Sequence, residues 1–251
     1  ELDDPGPAEH FKLLGREDWY LLSKDGDFLN FSGCGNTFKC AGSGARRMIR
    51  DSLVYWAQNL GVDGFRFDLA SILERDPNGN FHQGSELLWE LKNDPGLAGI
   101  KMIAEPWDAV GGYRLGYPSK NACWAEWNDS YRDTVRKAVR GDDGQMTALK
   151  EAILGSPEKF GSTEKGREFS INFITSHDGM TLNDLVSYNH KHNLENGEEN
   201  RDGHSSEFSF NCGIEGPTLD AEVLELRRKK IRLMHFLLQV SNGIPMIIAG
   251  D

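Results

Sequence analysis

Three acidic residues in this sequence stand where chemistry collects in proteins built of alternating strands and helices: Asp68, Glu105 and Asp178. Each follows a short apolar run read as a parallel strand, and ligands and reactive groups gather at the carboxyl ends of such strands. In Gly61-Val62-Asp63-Gly64-Phe65-Arg66-Phe67-Asp68 the Arg and the Asp are two apart. Period-two alternation therefore turns both to one face, and Phe65 and Phe67 to the other. An adjacent cation favours an ionised carboxylate, which suits a nucleophile. A structural ion pair is the plainer reading of the octapeptide alone. Three acids converging on one rim repel one another, a cost that a ligand, a metal or a reaction must offset.

Two chemistries fit. In retaining glycoside hydrolysis one carboxylate attacks and one carboxylic acid donates a proton, ~5 Å apart. Asp68, beside Arg66, is then the charged partner. Glu105 is followed by Pro106 and Trp107. An apolar, aromatic setting raises a carboxyl pKa, as a general acid requires. Asp178, next to His177, becomes a third acid that grips sugar hydroxyls. The alternative is a divalent-metal site with the three acids as oxygen ligands. Against it, no Lys stands in a strand to serve as base, and Arg66 sits where a metal wants no cation. Trp107, Trp124 and Trp127 are either sugar platforms or packing aromatics. His190 and His192 read more simply as part of a solvated loop than as metal ligands.

The elements that must position these residues alternate helix and strand. Ile49, Leu53, Trp56, Ala57 and Leu60 predict a helix over 45–60, stopped by Gly61. Val62–Phe67, Ile100–Ala104, Phe169–Thr175 and Pro245–Ala249 read as buried strands, with a fifth near 122–127. Further helices are expected from Ser85 to about Lys92, over 131–139 before Gly141, over 145–154 and over 222–240. Continuous apolar strands between helices predict a parallel α/β sheet. Five βα units are too few to close an eight-stranded barrel. The polar segment 189–216 is too long for a plain connector and is read as functional or mobile.

Composition narrows the partners. The 251 residues carry 28 Lys and Arg against 39 Asp and Glu, a formal charge of -11. Nucleic acid and anionic membranes reward the opposite balance. No apolar run approaches the ~20 residues of a spanning helix. Cys34, Cys40, Cys123 and Cys212 match no zinc spacing and are expected as free thiols. The start, Glu1-Leu2-Asp3-Asp4-Pro5, is acidic and lacks Met, and reads as cut from something longer.

At the acidic motifs the chain resembles the isoamylase-type α-glucan debranching enzymes of the α-amylase clan, glycoside hydrolase family thirteen. The likeness runs through Asn30–Thr37, Val62–Ala70, Ile103–Asp108, Ser170–Gly179, Asn193–Gly203 and Gly243–Met246. The resemblance implies the second half, about strands 4–8, of a TIM (β/α)8 barrel. Residues 1–251 then form a partial catalytic domain, without the amino-terminal β-domain, the first barrel strands or the carboxyl-terminal domain. It implies Asp68 as nucleophile, Glu105 as acid/base and Asp178 as transition-state stabiliser, with Arg66, His177, Trp107 and Asp108 contacting substrate. The implied reaction is hydrolysis of α-1,6 branch linkages in glycogen or amylopectin with retention, and needs no cofactor or metal. The implied partner is a branched α-glucan, with neither nucleic acid nor membrane. The implied location is the cytoplasm of a bacterium or the plastid of a plant or alga. Two departures stand out. An upstream segment with an Asp and a His is missing, and Ala41-Gly42-Ser43-Gly44 replaces the usual Asn-His-Pro after Cys40. The chain alone is therefore expected to have little activity. A non-catalytic glucan-binding scaffold is the rival reading.

Overall fold

Gly61 takes a left-handed conformation, φ 71°, and ends helix α1, Ser43–Leu60. The computed structural model describes residues 10–82, 84–203 and 205–251. The readings of residues 1–9, Gln83 and His204 lie outside the described residues. The chain divides into two compact units, Glu1–Glu126 and Trp127–Asp251.

In the first unit α1 starts inside the altered Ala41–Gly44 stretch. Gly42 is its N-cap and supplies no side-chain bond. Strand β1, Gly64–Phe67, follows, then helix α2, Glu86–Asn93, and strand β2, Lys101–Ala104. Ser85 caps α2 by accepting from the Leu88 N–H. β1 and β2 pair in parallel with Gly64 opposite Lys101 and Phe67 opposite Ala104. A Cβ on Gly64 would lie 2.8 Å from the Lys101 carbonyl oxygen, so only glycine allows this approach. Strand β3, Ala125–Asn128, begins beside β2, with Ala104 opposite Glu126. Leu87, Leu88, Leu91, Leu97, Ala104 and Trp124 are buried here, and Ile49, Leu53, Phe65 and Phe67 pack against them. Phe67 stacks on Trp124 at 4.4 Å. The expected stripe of α1 is only partly right: Ala57 is buried, whereas Trp56 and Leu60 are exposed.

In the second unit helix α3, Asp129–Arg140, leads to helix α4, Met146–Ile153, and strand β4, Ser170–Phe173. Asn128, at the end of β3, ties these together. Its amide donates to Ser156 Oγ and Ser170 Oγ, each at 2.9 Å, and its oxygen caps α3 by accepting from the Tyr131 N–H. Helix α5, Ala221–Val240, is capped by Asp220 and runs to strand β5, Ile244–Met246. β4 and β5 pair in parallel, Ile171 opposite Ile244. Tyr131, Val135, Ile174, Leu185, Met234 and Leu238 form the core.

The parallel α/β class holds. The strands are shorter than the sequence predicts, and this moves one expected site residue. β4 ends at Phe173 rather than Thr175, so Asp178, read as following the strand closely, stands further along the loop beyond it. The cause is that the Ile174 carbonyl leaves the ladder to accept from Arg136 Nε at 2.8 Å. The four cysteines are free, and burial pushes the Cys40 thiol up to about 12.

Candidate active site

The β1–β2 register decides what happens at the strand ends. With Phe67 opposite Ala104, the next residues on the two strands are Asp68 and Glu105. The ladder continues into them: the Glu105 N–H donates to Phe67 O at 3.0 Å and the Ala70 N–H to Glu105 O at 2.8 Å. Arg66 serves both acids. Its Nη1 donates to Asp68 Oδ1 at 2.7 Å, and its Nη2 lies 3.1 Å from Glu105 Oε2. Leu69 sits between them in a left-handed conformation, φ 43°, which is uncommon for a branched side chain. That conformation aims its N–H at Glu105 Oε2, 2.8 Å away.

The two acids differ in setting. The Asp68 side chain is 70% exposed and that of Glu105 only 6%. Burial pushes the Glu105 carboxyl above its ordinary range, and the neighbouring Asp68 adds to the rise. The Leu69 N–H and Arg66 oppose it. One open acid and one secluded acid on a single guanidinium can divide nucleophile from proton donor. The same guanidinium occupies the ground between them where a metal ion would have to sit.

The residues after Glu105 form a loop with a bridge between Trp107 and Tyr113. Trp107 is half-buried. Asp108, expected to contact substrate, has a side chain closed to solvent. It accepts from the N–H groups of Val110 and Gly112, at 3.1 and 2.7 Å, and from Ser71 Oγ at 3.2 Å, and it pairs with Arg75. Although burial pushes its carboxyl upward, the Arg75 bond and these N–H groups hold it below the usual carboxylate range. The Arg75 guanidinium lies between the rings of Phe31 and Phe81, at 3.7 and 4.2 Å. Asp108 therefore shapes the loop that carries Trp107. Nearby, Glu74 is buried against Arg114 at 3.0 Å, and burial pushes its carboxyl to about 7. Glu126, buried as well, accepts from the Gly116 N–H at 2.7 Å. Sequence reasoning gave these buried charges no role.

In the second unit His177 Nε2 lies 3.6 Å from Asp178 Oδ2, and the His177 ring meets Trp127 edge-on at 5.8 Å. Both side chains are exposed. Gly179 has φ 81°, and a Cβ there would lie 2.9 Å from Glu207 Oε1. Glu207 is in turn paired with the buried Arg136 at 2.5 Å. His192 pairs with Glu215 at 2.9 Å. Among the described residues, no group of three His, Cys, Asp or Glu is placed to hold a metal ion.

No family model matches the chain. Individual proteins do. Isoamylase SU1, chloroplastic, of Zea mays is 43% identical over 271 residues, a match that takes in all of this chain and 34% of that protein. The glycogen operon protein GlgX homolog of Mycobacterium tuberculosis is 44% identical over 250 residues, 98% of this chain and 34% of that one. The chain is similar to part of proteins named isoamylase and GlgX. The glycogen debranching enzyme of an Enterobacter species adds 40% identity across the whole chain and 38% of its own length. The chain thus spans about a third of the length of the isoamylase-type relatives it matches. Among solved structures, a pullulanase from Paenibacillus barengoltzii complexed with maltotetraose superposes with TM-score 0.65 at 21% identity, over 96% of this chain and 34% of that one. A type I pullulanase from Bacillus subtilis complexed with maltose gives 0.64 at 24%, over 91% and 29%. At such identities the likeness speaks for the fold. Among the described residues, no helix is long and apolar enough to cross a membrane.

Proposed function

We propose that this chain is the part of an isoamylase-type debranching enzyme that carries its catalytic acids, and that it serves the hydrolysis of α-1,6 branch linkages in glycogen or amylopectin. One observation carries the reading: Arg66 holds an exposed Asp68 and a buried Glu105, whose carboxyl burial pushes above its ordinary range, on the same guanidinium. Asp68 attacks the anomeric carbon while Glu105 protonates the departing glycosidic oxygen. The resulting glycosyl-enzyme is opened by water, with Glu105 now taking the proton, so configuration is retained. Asp178 is the third acid, steadying the positive charge that develops on the sugar ring, and His177 and Arg66 are substrate contacts. Trp107 supplies an aromatic face. In this reading β1–β5 are about strands 4–8 of a (β/α)8 barrel, and residues 1–251 are part of its catalytic domain. The names of the relatives support the substrate class and support a plastid location in a plant or alga. The cytoplasm is the location proposed for a bacterial source.

The test, made on the chain joined to the missing upstream region, is release of linear chains from amylopectin, measured beside linear amylose. Release from amylopectin and not from amylose is expected. Equal action on amylose overturns the branch specificity, and retention on a glucan resin without any turnover favours a non-catalytic scaffold.

A further inference from the structure

A cleft of about 940 Å³ opens in the second unit, running from His177 and Asp178 past Tyr188 to His190, Asn193 and Asp202. That volume is at the top of the range for small-ligand sites and exceeds what one sugar ring needs. Its far wall is the polar segment 189–203, which has little regular structure yet is firmly knit.

Two carboxylates do the knitting. Glu215 accepts from the Asn189 N–H at 2.9 Å, from the His190 N–H at 3.4 Å and from Asn211 Nδ2 at 3.0 Å, and it pairs with His192 Nε2 at 2.9 Å. Asp202 accepts from Asn196 Nδ2 at 2.6 Å and from Asn193 Nδ2 at 3.5 Å. Between these anchors the Asn193 N–H donates to Asn200 Oδ1 at 2.6 Å. Glu199 and Asn200 are both left-handed, with φ 52° and 60°. Such conformations persist where their surroundings over-determine them, and they cluster at ligand clamps.

The lining sets the ligand's chemistry. Asp178, Asp184, Glu195, Asp202 and Glu207 outnumber the one lysine. That lysine, Lys191, already donates to the carbonyls of Asp202 and Gly203, at 2.7 and 3.3 Å. Such a cleft repels anions. Its amides, carboxylates and imidazoles suit a neutral ligand rich in hydroxyl groups. Tyr188, held against the His192 ring at 4.8 Å, adds an aromatic surface for the apolar face of a pyranose.

We infer that residues 189–203 form a saccharide-binding wall for glucosyl units beyond the one at Asp178, and that Glu215 is the positioning residue that holds this wall in shape. The inference rests on the functional reading above and deepens it. The wall selects substrate by gripping the chain around the branch.

The experiment is amide hydrogen exchange of the intact protein, with and without a branched α-limit dextrin. Exchange across 189–203 slows at least several-fold with dextrin. Glu215→Ala abolishes that protection while leaving protection at 66–69 and 103–107. Because Glu215→Ala also loosens the loop, His190→Ala and Glu195→Ala form a second arm. No bond among the described residues ties either side chain into the loop. Each raises KM for the dextrin by about three- to tenfold, the weight of a hydrogen bond, and more than it lowers kcat. Protection confined to 66–69 and 103–107, or wild-type KM in both variants, overturns the wall. If dextrin protects no segment and is not cleaved, the functional reading falls, and the wall with it.

Discussion

Leu69 donates its backbone N–H to Oε2 of Glu105 at 2.8 Å from a left-handed conformation. The residue directly after Asp68 thus fixes the rotamer of the second acid. A small error in β1–β2 register would separate the two carboxyl groups.

Glu105→Gln keeps the shape of the side chain and removes its acid. In the branch-hydrolysis assay kcat is expected to fall by the ~100- to 10,000-fold typical of general acid/base catalysis. A loss below tenfold contradicts the role.

The pH profile follows from burial. The donor must be protonated, and Glu105 sits above its ordinary range. The alkaline limb of kcat/KM is therefore expected above the usual glutamate value, because activity is lost as pH rises through the raised pKa. A limb at the ordinary value assigns the acid elsewhere.

Glu74 gives a separate signature in stability. Its folded-state pKa of about 7 exceeds the ordinary 4.5. Between those values the folded chain keeps a proton that the unfolded chain has lost. Stability is therefore fullest below the lower value and declines as pH rises through the higher one, by on the order of 1–3 kcal/mol. Urea midpoints between pH 5 and 8 are expected to fall more steeply for the wild type than for Glu74→Gln. Parallel curves rule this out.

Asp108 tests structure against binding. Removing one partner of a buried pair costs about 3–5 kcal/mol. Asp108→Ala is expected to lower unfolding free energy by that order. Wild-type stability with a raised KM restores the substrate contact.

Gly179 fixes the backbone after Asp178. An alanine there takes on a left-handed strain of about 1–2 kcal/mol and meets Glu207 at 2.9 Å. Gly179→Ala is expected to lower the melting temperature, and an unchanged melt contradicts the described turn.

Much of the site was legible because it depends on local order. Alternation along Val62–Phe67 already put Arg66 beside Asp68 and turned Phe65 and Phe67 toward the core. Helix stops at Gly61 and Gly141 and the cap at Ser85 were read from residue type alone. What escaped depends on contacts between distant residues. Arg75 and Asp108 are 33 positions apart, and Glu74 and Arg114 are 40, so no periodicity announces either pair. The early end of β4 had the same origin, since Arg136 reaches across 38 positions to the Ile174 carbonyl. Glu215 looked like one acid among many in a polar segment, and only its convergent donors mark it as an anchor.

The most direct measurement is peptide mass spectrometry after reaction with a fluorinated α-maltosyl fluoride that forms the glycosyl-enzyme faster than it releases it. A maltosyl adduct on the peptide containing Asp68, lost in Asp68→Asn, is the expected result. Hydrolysis that proceeds with the adduct on another acid, or with inversion and no adduct at all, contradicts the pairing of Asp68 and Glu105 on which the mechanism rests.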